Sequence, residues 1–187
     1  PGSTVVLLDV LDGVSSPVHR RAFSDALIDL APHAVPLFAQ RLQTASSNLA
    51  KDLYYIIDGI NPPNRVELLE PALHHNNAAL RMEVMNTLEN HLDESAFEVL
   101  TRVFKTHTIP QMRGHAARLL GKYPGVKASP ILIDAIESDD FEEKPDQERR
   151  AIISSLVNQD SYAAQHWIDT ALKTKSHLIG GKSIDEK

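Results

Sequence analysis

Ala79-Leu80-Arg81-Met82-Glu83-Val84, Gln111-Met112-Arg113-Gly114-His115-Ala116 and Gln147-Glu148-Arg149-Arg150-Ala151-Ile152 each carry an arginine in the third place, and Val18-His19-Arg20-Arg21-Ala22-Phe23 does the same near the start of the chain. Three residues after Arg20, Arg81, Arg113 and Arg149 stand Phe23, Val84, Ala116 and Ile152; seven after them stand Leu27, Leu88, Leu120 and Leu156. Those offsets fall on one face of an α-helix. A fifth, degenerate copy puts Ala50 in the arginine place with Leu53 and Ile57 behind it, so the copies follow one another at steps of 30, 31, 32 and 36 residues.

A second ladder runs in phase with the first: Phe38 and Leu42, Leu69 and Leu73, Leu100 and Phe104, Leu132 and Ile136, then Ile168 and Leu172. Its last step is also 36 residues, so one insertion explains both irregularities. A fixed period of about thirty residues with two helical faces per period is the mark of a helical-hairpin repeat. Each unit then reads as a helix A, a short turn and a helix B. The expected fold is all-α, a right-handed α-solenoid of about five to six antiparallel hairpins. One array fills residues 1–187, with units near 3–31, 33–60, 63–92, 95–123, 128–159 and an incomplete 161–187.

Punctuation agrees with this division. Asn61-Pro62-Pro63-Asn64 is expected to end one unit and cap the next, and Pro32, Pro36 and Tyr123-Pro124-Gly125 sit at other junctions, where proline starts a helix more readily than it continues one. Pro71 falls inside a helix expected over 65–74, which predicts a kink there. The first helix, roughly Thr4 to Leu11, lacks the polar outer face of a terminal repeat. The tail from Ser176 is expected to open another helix B, and both ends together read as part of a longer chain.

The pattern resembles the HEAT and PBS-lyase HEAT-like repeat family, most closely at Ser15-Ser16-Pro17-Val18-His19-Arg20 through Leu27 and at Asn77-Ala78-Ala79-Leu80-Arg81 through Leu88. The resemblance implies a scaffold or regulatory module that binds a protein or peptide. It also admits enzymes or accessory subunits of similar fold, DNA glycosylase-like or bilin lyase-like. Most copies lack the acidic residue that the family places before the arginine, which puts the acid-to-arginine ladder between neighbouring repeats in question.

Composition narrows the function classes. A formal net charge of −6 disfavours a sequence-independent grip on nucleic acid. No apolar run reaches the roughly 20 residues of a membrane span. Cysteine is absent, which removes thiolate chemistry and suits a reducing, cytoplasmic setting. There is no Gly-x-Ser-x-Gly elbow and no complete phosphate loop; Gly180-Gly181-Lys182-Ser183 has only the end of one. The adjacent pair His74-His75 would point about 100° apart on a helix and so would not share a metal. No catalytic residue, metal site or cofactor is expected.

The helix-B positions just outside the arginine ladder are the expected partner contacts on a concave face: Arg21, Lys51, Tyr55, Met82, Asn86, Arg118 and Arg150. Phe141, within the acidic insertion around 138–148, is an expected apolar anchor. Two readings stand beside each other for this row: partner contacts, or the charge that any solvated helix face carries. Arg20, Arg81, Arg113 and Arg149 themselves are expected to bridge adjacent repeats rather than touch a ligand, and Trp167 to be part of the core.

Overall fold

Helix boundaries fall where the capping chemistry puts them in the computed structural model, which describes residues 2–180 and, of these, the side chains of residues 4–173. The helices are α1 (Gly2–Gly13), α2 (Pro17–Leu30), α3 (Val35–Leu42), α4 (Ser47–Ile60), α5 (Arg65–Leu69), α6 (Ala78–Asn90), α7 (Glu94–Thr106), α8 (Pro110–Leu120), α9 (Gly125–Ile136), α10 (Asp146–Val157) and α11 (Tyr162–Gly180). The described residues contain no strand. Each predicted unit supplies one pair, from α1 with α2 to α9 with α10, and α11 is the first helix of the sixth. α11 runs on through Ser176 to Gly180, so the helix B expected from Ser176 does not open there, and the rest of that tail, residues 181–187, lies outside the described residues.

Starts and stops have local causes. Ser16 and Ser46 cap α2 and α4 by accepting from His19 N and Leu49 N, and Asn77 Oδ1 accepts from both Ala79 N and Leu80 N at the head of α6. Asn61 ends α4 in the left-handed region, at φ 51°, with its N–H bonded to Ile57 O at 3.0 Å. Asn64 stands at the N-cap of α5 but its side chain makes no capping bond, which corrects half of the reading of that turn. Pro71 does more than kink its helix: α5 stops at Leu69 and Glu70–His74 continues as a 3-10 turn. Pro130 was not expected inside a helix, yet it lies in the middle of α9 with its ring exposed. The lost bond and the ring both fall on the side away from the packed face, where the bend they impose meets no neighbour.

The chain forms two compact units, Pro1–Val99 and Leu100–Lys187. In the first, α4 packs on both α2 and α3, and α6 packs on α4, α5 and the 3-10 turn before it. In the second, α10 packs on α8 and α9, and α11 on α9 and α10. Both ladders supply the cores: Leu27, Phe38, Leu42, Leu53, Ile57, Leu69, Leu73, Val84 and Leu88 are buried in one unit, and Leu100, Phe104, Leu120, Leu132, Ile152 and Leu156 in the other. Each such side chain contributes about 1.5–3 kcal/mol of transfer free energy. The ladder weakens at its far end, where Ile168 is half-buried and Leu172 is 62% exposed. At the near end α1 shows Val5, Val6, Leu7 and Val10 to solvent, in line with its missing polar face.

Candidate functional site

The ladder arginines are consumed by structure, and their donors show how. Arg20 is buried; its Nη1 donates to Leu11 O at 2.9 Å and Val14 O at 2.8 Å, and its Nη2 pairs with Asp52 of the next helix B. Arg81 Nη1 donates to His75 O at 2.6 Å and Arg113 Nη1 to His107 O at 2.7 Å. In all three an acceptor, Val14, His75 or His107, lies six residues before the arginine, on the turn that closes the hairpin. Carbonyls left over at the end of helix A are thereby satisfied by a cation. Arg20 and Arg113 also bridge adjacent repeats, as expected. Arg81 ties only its own hairpin among its resolved bonds, and Arg149 pairs with Glu142 and Asp146 of the insertion in its own unit.

Two histidines build the same turns: His75, which the sequence reading weighs only as a metal ligand, and His107, which it does not single out. His75 Nδ1 accepts from Asn77 N at 3.0 Å, which leaves its proton on Nε2, 3.0 Å from Ala45 O. His107 Nδ1 accepts from Ile109 N at 3.1 Å. Both rings are buried. The signal was available: His75 and His107 each stand six residues before a ladder arginine. Among the described residues no group of three or more His, Cys, Asp or Glu is placed to hold a metal ion.

With the ladder inward, the outer row of each helix B is left for other work. Arg21, Lys51 and Tyr55 come together on α2 and α4, where they line a cleft of about 560 Å³ with Ser24, Asn48 and Glu83. The Arg21 guanidinium lies over the Tyr55 ring at 3.6 Å, and the Tyr55 hydroxyl donates to Asp25 at 2.7 Å. Asp25 in turn sits 3.4 Å from Arg21, one turn earlier on the same helix. The bond to Asp25 holds the Tyr55 phenol above its ordinary value. On the cleft wall burial pushes the Asp52 carboxyl above the ordinary carboxylate range, and the Arg20 guanidinium pulls it down without cancelling that effect. Met82, 41% exposed, and Asn86 continue the row on α6.

In the second unit Arg118 and Arg150 are exposed on α8 and α10. Phe141 is not an exposed anchor: it is only 7% accessible, in a 3-10 turn at residues 141–143 that folds the insertion inward. An aromatic in a polar loop fastens that loop by burying itself, which is the physical reason for the correction. The acids of the insertion are also partly spent, since Asp140 pairs with Lys144 at 2.6 Å while Glu142 and Asp146 pair with Arg149. These contacts hold the Asp140 and Asp146 carboxyls below the usual carboxylate range. Trp167 is half-buried, as expected, and its Nε1 donates to Glu137 at 3.0 Å. The sequence did not point to a cleft of about 540 Å³ bounded by the end of α7, α9 and the insertion, with Lys105, Asp134 and Lys144 on its walls.

Paired helices, an inward arginine on alternate helices and a period near thirty residues define a helical-repeat protein. Residues 66–156 match the family model of HEAT repeats, and the chain is consistent with a HEAT-like repeat family. No curated protein matches the chain. HEAT repeats are generally protein-interaction modules, and among the described residues no helix is long and apolar enough to cross a membrane.

Proposed function

We propose that the chain is a protein-interaction module that holds a partner protein or peptide on the outer rows of its helices B and catalyses no reaction. The carrying observation is the division of labour on those helices. The ladder arginines spend their donors on hairpin turns and neighbouring acids, whereas Lys51, Met82, Asn86, Arg118 and Arg150 remain exposed. Tyr55 and Arg21 add a flat, stiff contact surface of the kind that carries binding energy at small cost in side-chain entropy. A mixed row of this sort suits a protein surface better than a phosphate backbone, which would draw Lys and Arg at most rungs.

The test is a pull-down from a source lysate, with and without nuclease, using the chain and a variant carrying Arg21→Ala, Tyr55→Ala and Met82→Ala. Expected is a defined protein that survives nuclease and is lost with the variant while the circular-dichroism spectrum is unchanged. Retention that requires nucleic acid, or that the variant leaves intact, sinks this reading.

A further inference from the structure

We propose that the cleft between α2 and α4 is a receptor for a carboxylate-bearing peptide segment, an Asp- or Glu-rich stretch of the partner; this rests on the interaction-module reading above. The first observation is Ser24. Its side chain is 1% exposed, it lines the cleft, and its hydroxyl has no hydrogen-bond partner. Other helical hydroxyls in this chain turn back onto the carbonyl one turn earlier, Ser154 to Arg150 O at 2.7 Å and Thr106 to Arg102 O at 2.9 Å. Ser24 does not. A buried hydroxyl left unpaired carries a desolvation penalty that a ligand atom reaching it would remove.

The second observation is the balance of unspent groups around that hydroxyl. Lys51 and Asn48 make no hydrogen bond or ion pair. Arg21 stacks on Tyr55 and its Nε lies 3.4 Å from Asp25, which keeps the guanidinium at the mouth of the cleft as a second cation. The acids nearby are engaged: Asp52 with Arg20, and Asp25 with Tyr55 and Arg21. Glu83 alone brings an unpaired negative charge to the lining. A site with four sets of donors, among them the unpaired cation Lys51, in which the one unpaired acid sits on a third helix, complements a carboxylate. A basic segment would leave Lys51 and Arg21 facing like charge.

The experiment titrates the ¹⁵N-labelled full chain with a short acetylated and amidated peptide of alternating Glu and Ser, with its Gln counterpart and with a phosphoserine counterpart. Expected are amide shifts confined to residues around Ser24, Asn48 and Lys51 with the Glu peptide and none with the Gln peptide. Lys51→Gln and Ser24→Ala should each weaken binding about fivefold, and Glu83→Gln should tighten it. Equal binding of the Gln peptide, binding by the phosphoserine peptide alone, shifts elsewhere, or indifference to Ser24→Ala and Lys51→Gln would each overturn the assignment. The two readings separate cleanly. A partner captured through Tyr55 and Met82 with no Glu-peptide binding sinks the carboxylate receptor and leaves the module; a cleft that binds the peptide while no protein is captured does the reverse.

Discussion

Arg113 grips Glu148 with two parallel bonds, Nε to Oε1 and Nη2 to Oε2, both 2.7 Å, and Glu148 is 2% exposed. The remaining donor, Nη1, closes the hairpin of Arg113's own repeat on His107 O. One guanidinium thus fixes a turn and fastens the next helix B. Glu148 immediately precedes ladder residue Arg149, so at this step the acid-to-arginine link between neighbours exists, with Glu in the acidic place. Removing either partner strands the other in the interior. Arg113→Ala should cost about 3 kcal/mol, since an uncompensated buried carboxylate outweighs the lost contacts. Arg113→Lys, which keeps the charge but not the fork, should recover less than half. Replacing both residues by apolar ones of similar size should cost less than Arg113→Ala alone. Urea unfolding of the set checks this; a double substitution that costs more than Arg113→Ala alone would contradict it.

Three glycines divide by what a methyl group would meet. At Gly114, on α8 against α10, the nearest atoms would be Glu148 Cα at 3.6 Å and Ala151 Cβ at 3.7 Å, ordinary contact distances. Gly114→Ala therefore gains helix propensity, about 1 kcal/mol, without a clash. At Gly59 the neighbour would be Ile28 Cδ1 at 2.6 Å, the free end of a side chain that can turn aside. At Gly125 it would be Ser161 Cβ at 2.5 Å and Gln159 Oε1 at 2.9 Å, and a Cβ moves only with its backbone. Overpacking of about 1–3 kcal/mol wins there. Thermal unfolding should rank Gly114→Ala above wild type and Gly125→Ala below it.

The hairpins were legible because two periodic patterns agreed. Leu53, Ile57, Leu88 and Leu120 are buried where the ladder put them. The outer row was legible as a row, and Arg21 with Tyr55 does converge, but the sequence could not show that Asp25 ties the two together. Phe141 escaped because a lone aromatic in an acidic loop reads the same whether it faces in or out. Ser24 escaped for a different reason. An unpaired buried hydroxyl is a property of geometry, and the same residue bonded to Arg20 O would have left no trace in the sequence.

Acid should act in opposite senses on the aspartates of the insertion and on Asp52. Asp140 is held low by bonds from Lys144 and Ser138, and Asp146 by the bond from Arg149. A depressed folded pKa contributes stability that is present above the unfolded value of about 3.9 and is lost as pH falls through the folded value. Asp52 is raised by burial, so its protonation on the way down toward 3.9 favours the folded state. Carboxyl-carbon NMR should find Asp140 and Asp146 titrating below ordinary aspartates and Asp52 above them. The reverse order at Asp52 would mean that its pair with Arg20 dominates its desolvation.

His75 should prove structural, and the size of the loss tells this apart from a surface role. Its ring spans two segments, accepting from Asn77 N and donating to Ala45 O, and its backbone carbonyl receives Arg81. His75→Ala leaves the carbonyl in place but strips both ring bonds in a buried turn, freeing Ala45 O and Asn77 N at once. Two bonds of about 1 kcal/mol each, together with the desolvation of groups left unpaired, predict a loss of about 2–3 kcal/mol. Asn77 also caps α6 through its side chain, so a loosened turn should expose the first amides of α6. Hydrogen exchange at Ala79 and Leu80 should accelerate in the variant far more than exchange at Leu53 or Ile57. A uniform change across α4 and α6 would show that the ring only contributes to global stability and does not set the turn.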